Sequence, residues 1–218
     1  GVPSAQSAAV VDNADIQVNF GSFVFRDAGG ESVVEGIDVE TAAAFNVTSD
    51  VEIGNANADT TGTAVACNLA DCGITSIFPL GINSSAAAAP PAVSRGVGSG
   101  RADGALSIAN DSGVDLTIDF FLEADLAWDQ LAVGDASSET ASLGWLLGFE
   151  YDGTVTEVAN ESIVGDEDGV SVEELCPDFP NDLCNLRKNF EGLPLPAGAT
   201  RTFAGFVELT AFAEARDA

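Results

Sequence analysis

The sequence predicts an all-β protein, folded as an antiparallel two-sheet β-sandwich of jelly-roll or immunoglobulin-like type with long loops and little helix. Apolar and polar residues alternate with a period of two over long stretches, as they do in strands that have one buried face. Turn-forming pairs such as Asp152-Gly153 separate these stretches, and no segment combines helix caps with an apolar stripe of helical period. We expect about eight or nine strands, a number typical of a sandwich.

Three long segments carry the clearest alternation: 114–128, 141–151 and 202–215. In the first, the even positions are apolar and most odd positions are acidic, so one face is buried and the other is solvated. Phe206 and Phe212 interrupt the polar face of the third segment, which predicts that this face is partly covered. The residues expected to be buried are Leu116, Ile118, Phe120, Leu122, Leu126, Leu143, Trp145, Leu147, Phe149, Val207 and Leu209.

The remaining strands are less regular. Near the N-terminus the apolar parity changes at Gly21, between Phe20 and Phe23. A glycine at such a change predicts a β-bulge. Further strands are expected over 32–40, 42–47 and 74–80.

Two segments decide how the strands are connected. The turn-forming run at 110–113 lies between an apolar alternation and the 114–128 strand, which predicts another hairpin. Residues 84–104 form a low-complexity segment that suits either an interdomain linker or a long surface loop. Because the N-terminal part holds few large apolar residues, we expect one domain over 1–218, with a loop at 84–104 and an N-terminal arm at about 1–12.

Composition excludes several classes of function. The 218 residues include 35 acidic and 7 basic ones, giving a formal charge of −28, and there is no His. A polyanion repels phosphate backbones and anionic membrane surfaces, so we expect no nucleic-acid partner. Without His, the Ser-His-Asp and Cys-His arrangements of hydrolases cannot form. Paired carboxylates could hydrolyse glycosides, but the sequence singles out no pair, so we predict a protein that is not an enzyme.

Four cysteines form two local pairs in polar segments, Cys67 with Cys72 and Cys176 with Cys184. Two disulfides are the simple interpretation, and the alternative is a four-thiolate metal site without the C-x2-C spacing that zinc ribbons favour. Disulfides persist in oxidising compartments. No apolar run is long enough to cross a membrane as a helix. We therefore expect a mature secreted protein, extracellular or held at the cell surface, with no membrane span.

Two further kinds of site are candidates. Asp166, Asp168 and Glu173 lie in a short acidic stretch that could supply oxygen ligands to calcium, although the ligand order of an EF-hand is absent. Calcium is the one cofactor that the sequence leaves open. In a secreted archaeal or eukaryotic protein, N-x-S/T triplets are plausible glycan acceptors, whereas in most bacteria they carry no such meaning. Here they begin at Asn46, Asn83, Asn110 and Asn160.

About half of the chain resembles a known group of exported proteins. The features are the small-residue run at 104–108, the Asn-Asp-Ser-Gly turn at 110–113, the acidic strand after it, the strand entry at 139–142 and the segment 195–203. They resemble the exported bacterial proteins that carry PEP-CTERM sorting signals, although no Pro-Glu-Pro signal follows these features here. A weaker similarity is to secreted fibre subunits that exchange β-strands. The resemblance implies an extracellular β-sandwich associated with surface polymer or matrix, with no catalytic residue to carry over.

These observations predict a structural protein, the subunit of a cell-surface filament or matrix that assembles from copies of itself by β-strand addition. Lysine commonly blunts exposed sheet edges, and the chain has one lysine, Lys188. We expect the N-terminal segment to pair with another copy. The predicted assembly residues are Val10, Val11, Ile16, Val18 and Phe20. The alternative function is a calcium- or glycan-binding secreted surface module.

Overall fold

The computed structural model describes residues 9–65, 78–90, 93–134, 139–166, 169–170 and 183–216. These residues form twelve β-strands and no helix. In chain order the strands are β1 (Ala9–Arg26), β2 (Ile37–Ile53), β3 (Ala56–Ala64), β4 (Phe78–Ala88), β5 (Ser94–Asn110), β6 (Leu116–Ala127), β7 (Gln130–Val133), β8 (Glu139–Tyr151), β9 (Thr154–Asp166), β10 (Gly169–Val170), β11 (Leu183–Leu195) and β12 (Thr200–Ala215).

The strands form two antiparallel sheets. Sheet A has the order β11-β6-β1-β4-β3, and the short β7 continues from β6 along the first residues of β1. Sheet B has the order β10-β9-β8-β12-β5-β2. The sheets lie face to face, because β1 and β4 pack on β12 and β3 packs on β5. The predicted all-β, two-sheet sandwich is confirmed.

One hydrophobic core lies between the sheets. Residues of β6, β8 and β12 alternate between the core and the outer faces as predicted, and every residue expected to be buried is buried. The centre of the core is a cluster of phenylalanine rings whose centroids lie 4.8 to 6.5 Å apart. Stacked and edge-on ring contacts of this kind stabilise a core beyond the area they bury. The rings belong to Phe20, Phe23, Phe120, Phe149, Phe190 and Phe203.

The prediction of a long surface loop over 84–104 is wrong, because β4 and β5 occupy most of this segment. Its small residues are needed where β5 packs on β3 and β4. A Cβ atom at Gly98 would lie 2.6 Å from Ser84 Oγ and 2.7 Å from Thr60 Oγ1. Those separations are too short for any side chain, so glycine allows the two sheets to approach closely here. The Ala, Gly and Ser content reflects close sheet packing and not a loop.

The hairpin predicted at 110–113 is also wrong. β5 belongs to sheet B and β6 to sheet A, so the chain crosses between the sheets at this point. Asn110 fixes the crossing: its buried side chain donates from Nδ2 to the carbonyl oxygens of Val114 at 2.9 Å and Leu195 at 3.0 Å. Its Oδ1 accepts a hydrogen bond from Ser112 Oγ at 2.6 Å. Asn110 therefore ties together three separate segments.

Two local predictions are confirmed. β8 and β9 form a hairpin at Asp152-Gly153, where φ values of 49° and 79° are those of a type I′ turn. The register between β1 and β6 shifts just after Gly21, as a bulge requires. The strands expected at 32–40 and 42–47 are instead one strand, β2, which begins later than predicted.

Arginine side chains cover the apolar residues on the outer face of sheet B. The guanidinium carbon of Arg101 lies 4.7 Å from the centroid of the Phe206 ring, and that of Arg95 lies 5.0 Å from the Phe212 ring. Arg101 also forms an ion pair with Glu208 at 2.5 Å. Cation–π contacts of this kind shield aromatic surface from water. They explain how two phenylalanines are accommodated on an otherwise polar face.

Candidate assembly site

The N-terminal strand, where contacts between copies are predicted, lies in the middle of sheet A. β1 pairs with β4 along one edge, from Ala9 opposite Ala88 to Phe20 opposite Phe78. Along its other edge it pairs with β7 and then with β6. Residues 9–12 of the predicted N-terminal arm are therefore strand, and the rest of that arm lies outside the described residues.

All five predicted assembly residues are paired within their own chain. Val11, Ile16, Val18 and Phe20 face the core and expose at most 2% of their surface, while Val10 lies on the opposite face. Both edges of β1 are occupied by strands of the same molecule. This corrects the expectation of a segment presented freely to a neighbour. The four core-facing residues can contact another copy only if β1 leaves its own sheet.

Phe20 anchors β1 against sheet B. Its ring lies over Gly205 of β12, where an added Cβ would come within 2.6 to 2.8 Å of three ring carbons. The ring contacts Phe203 edge-on at 5.7 Å between centroids and lies 6.5 Å from Phe120. The absence of a side chain at Gly205 thus creates a notch that fixes the position of β1 along the core. The sequence predicts Phe20 as an assembly residue and gives no sign that it packs on Gly205.

Asn13 holds a bulge on the outer face of β1, between Val11 and Ala14. Its φ of 50° is left-handed, a conformation that asparagine tolerates better than most residues. Its backbone N donates to Ser85 Oγ at 3.0 Å, and its Nδ2 donates to Asp129 Oδ2 at 2.9 Å. Sequence reasoning missed this residue, although Asp-Asn within an apolar alternation is a bulge signal.

A structured turn at 27–36 connects β1 to the rest of the fold. The Oδ1 atom of Asp27 accepts hydrogen bonds from the backbone N of Gly29 and of Glu31, both at 2.9 Å. Gly30 and Gly36 have left-handed φ values of 82° and 75°. Fully extended, a segment of this length would span roughly 33 Å. The turn is thus ordered, and its extended length is well above the distance between neighbouring strands.

Carboxylates outnumber cations on the outer face beside β1. Arg187 of β11 forms an ion pair with Glu123 of β6, and Asp125 lies next to them on the same face. Partial burial raises the pKa of Asp125, the charge of Glu123 raises it further, and Arg187 offsets part of the effect. Partial burial first, and the neighbouring negative charge second, therefore oppose ionisation of the Asp125 carboxyl.

Two concave surfaces adjoin β1. The first, of about 140 Å³, opens between the two sheets and is mainly apolar. The second is a shallow polar depression of about 320 Å³ on the outer face of sheet A, around Gly81. Its polar side chains can donate and accept hydrogen bonds, and they belong to Asp15, Gln17, Thr61, Thr63 and Asn83.

The predicted disulfides and calcium ligands fall outside what the structure describes. This holds for Cys67, Cys72, Cys176, Asp168 and Glu173, and for the side chains of Cys184 in β11 and Asp166 in β9. Among the described residues, no group of three or more Cys, Asp or Glu side chains could hold a metal ion. Both disulfides and the calcium site remain predictions.

The four N-x-S/T triplets occupy different environments. Asn46 on β2 and Asn160 on β9 are exposed, and Asn83 on β4 is partly buried. Asn110 has no exposed surface. Because an attached glycan needs solvent around it, the folded structure cannot accommodate one at Asn110, contrary to that prediction.

No protein-family model matches the chain, and no curated protein matches its sequence. In the part of the chain described here, no helix is long and apolar enough to cross a membrane.

Proposed function

We propose that the protein is a non-enzymatic structural subunit of an extracellular or cell-surface filament or matrix, in which β1 of one copy fills the slot between β4 and β6 of the next. One observation carries the proposal: the first strand described lies at the centre of a sheet and joins the following strands only through 27–36. A strand joined to the fold in this way can be supplied by a second copy with its contacts preserved.

The connectivity favours such an exchange. β2, the strand that follows β1, lies at the edge of sheet B, so the two strands form no hairpin that would have to break. Only the turn at 27–36 must open, including the bridge between Arg26 and Ser32. Its extended reach of roughly 33 Å is comparable to the width of a small domain. An adjacent copy is therefore within range of β1.

The core requires that the slot be filled. Burying a large apolar side chain contributes about 1.5–3 kcal/mol, and six of them on β1 would contribute roughly 9–18 kcal/mol as an upper estimate. These buried residues are Val11, Ile16, Val18, Phe20, Phe23 and Phe25. A chain with an empty slot would lose most of its stability. The chain's own β1 and the β1 of a neighbour make the same contacts in the slot. The segment 27–36 and the contacts between copies therefore decide which of the two occupies it.

Charge makes assembly dependent on salt. Copies that each carry a formal charge of −28 repel one another in dilute buffer. The screening length falls from about 10 Å at 0.1 M to about 3 Å at 1 M ionic strength. We therefore expect filaments or matrix to form at high salt and to be suppressed at low salt.

Cross-linking between two variants tests the exchange. Gln17 of β1 and Asp125 of β6 are direct cross-strand partners, a separation that a disulfide can bridge. Gln17→Cys and Asp125→Cys chains are mixed, assembled at high salt and oxidised, and linked peptides are mapped by mass spectrometry. We expect a disulfide that joins the two substituted positions across different chains. Gln17→Cys mixed with Glu157→Cys, which lies in sheet B, is the matched control and should give none.

The double variant Gln17→Cys/Asp125→Cys supplies a second measurement. Oxidation before assembly should lock β1 into its own sheet and abolish filaments seen by electron microscopy, and reduction should restore them. Filaments that form from the locked protein would refute the proposal. So would a mixture that forms filaments without the cross-link, or an intact protein that stays monomeric at high concentration and high salt.

The alternative function, a glycan-binding surface module, is favoured by the polar depression around Gly81. Amide, carboxylate and hydroxyl groups such as those of Gln17, Asp15 and Thr61 are the groups that hydrogen-bond sugar hydroxyls. Calorimetric titration with neutral oligosaccharides tests it. Binding that is lost in Asn83→Ala would support this module, and absence of heat for every sugar tested would exclude it for that panel.

A further inference from the structure

We propose that Asn46 and Asn160 carry N-linked glycans, and that these sugars cover the two sides of sheet B along β2 and β9. The inference does not depend on strand exchange. It rests on where the fold places the four N-x-S/T triplets, which the sequence alone treats as equivalent.

Asn46 and Asn160 have accessible amides. Both side chains are exposed, and no hydrogen bond to the Asn46 amide occurs among the described residues. The Asn160 amide has only one long contact, 3.5 Å from Nδ2 to Glu157 Oε2, which is too weak to hold it. A glycan at either position would extend into solvent without breaking the fold.

The other two triplets do not offer this access. Asn110 is fully buried and donates to two backbone carbonyls, which a sugar on its nitrogen would displace. Asn83 lies in an inner strand of sheet A, and its Nδ2 donates to Asn13 Oδ1 at 2.6 Å. A glycan there would disrupt the bulge that positions β1. The fold therefore leaves two of the four asparagine amides accessible, whereas the other two already donate hydrogen bonds within the protein.

The two accessible residues lie on the same cross-strand row of sheet B. The row crosses five neighbouring strands. It runs from Asn46 on β2 through Arg101 on β5, Glu208 on β12 and Leu146 on β8 to Asn160 on β9. Four strand spacings separate the ends of this row, roughly 19 Å. The glycans would thus stand on one face of the sandwich, at its two sides.

The modification is a transfer to the amide nitrogen. A C–N bond forms between Nδ2 and the anomeric carbon of an oligosaccharide carried on a lipid phosphate or pyrophosphate. The C–O bond to the phosphate breaks, the phosphate leaves with the electron pair, and the amide proton passes to a base. The modifying machinery supplies this donor, and this chain contributes only the acceptor triplet, including the hydroxyls of Thr48 and Ser162.

Glycans at these positions would hinder the pairing of further strands with the sides of sheet B. β2 is an edge strand of sheet B, and among the described residues β9 is paired on its outer side only at Gly165 and Asp166, by the two residues of β10. Both strands contain a bulge and several acidic residues but neither lysine nor proline, two of the residues that discourage edge-to-edge pairing. A bulky, hydrated sugar beside each edge would block another strand from adding to sheet B. Contacts between copies would then be confined to sheet A.

Glycopeptide mass spectrometry of the protein purified from the cells that naturally produce it tests the inference. We expect sugar masses on the peptides that contain Asn46 and Asn160, and unmodified peptides for Asn83 and Asn110. Expressed in the same cells, Asn46→Gln and Asn160→Gln should each lose one glycan mass. Thr48→Val should lose the glycan at Asn46, whereas Thr48→Ser keeps the triplet and should retain it.

Unmodified peptides at either Asn46 or Asn160 would overturn the inference. A glycan on Asn110 in the folded protein would overturn it as well, because the argument depends on burial at that residue. Retention of the sugar in Thr48→Val would show that the modification does not use the triplet, and would have the same consequence.

Discussion

A double-mutant cycle between Phe20 and Gly205 tests how β1 is held against sheet B. In the native protein, Gly205→Ala places a methyl group within 2.6 to 2.8 Å of the Phe20 ring, and such overpacking costs about 1–3 kcal/mol. Phe20→Ala alone removes a fully buried ring and should cost about 3–5 kcal/mol. Without the ring the clash is absent, and alanine is favoured over glycine in a strand by roughly 0.5–1 kcal/mol. Gly205→Ala should therefore be neutral or stabilising in the Phe20→Ala background.

Urea unfolding at low salt, where assembly is suppressed, followed by the fluorescence of the buried Trp128 and Trp145, measures the four free energies of unfolding. The expected interaction energy is about 2 kcal/mol or more. Gly144→Ala is the matched control, since the nearest atom to its added Cβ is 3.8 Å away. If the effects of Phe20→Ala and Gly205→Ala add to within about 0.5 kcal/mol, the ring does not lie on Gly205 and the description of the notch is refuted.

Further predictions concern one sheet contact and two titrating groups. Gly98→Ala should lower the free energy of unfolding by about 1–3 kcal/mol in urea titration, because its Cβ would meet Ser84 and Thr60, whereas Gly144→Ala should not. Burial raises the pKa of Tyr151, the only tyrosine, to about 12, so its phenolate absorbance should titrate near that pH in the folded protein and near 10 in urea. Stability should then fall as pH rises from 10 to 12, and coincident titrations would contradict the burial. Because the pKa of Asp125 is raised above 3.8, its contribution to stability is greatest at low pH and is lost as pH rises. Asp125→Asn should therefore raise the melting temperature at pH 7 but not at pH 3, and equal shifts at both would exclude a charge effect.

The sequence predicts those parts of the fold in which a strand has one buried and one solvated face. In β6 and β8 the large apolar residues recur at every second position, so local periodicity alone identifies strand and buried face. The hairpin at Asp152-Gly153 is equally local, because both residues adopt the left-handed φ that such pairs favour.

The errors arise where packing between distant segments decides the structure. The low complexity of 84–104, rich in alanine, glycine and serine, predicts a loop, although glycines 96, 98 and 100 within it face the other sheet at close range. The turn at 110–113 is correctly placed, but no local signal states that the next strand joins the opposite sheet. For the assembly site, the apolar alternation of β1 indicates a buried strand without indicating which chain supplies its neighbours.

The central position of β1 also determines the order in which the fold can be completed. During synthesis β1 emerges before its partners, which begin only at Phe78 and Leu116. Contacts so distant in sequence make loop closure costly and folding slow, so β1 remains without a sheet while most of the chain is made. Completion of sheet A then requires insertion of β1 between β4 and β6, both of which are synthesised later. Agents that bind extended β-strands should delay this step more than any other, and the time before insertion is the period in which the chain is most exposed to aggregation.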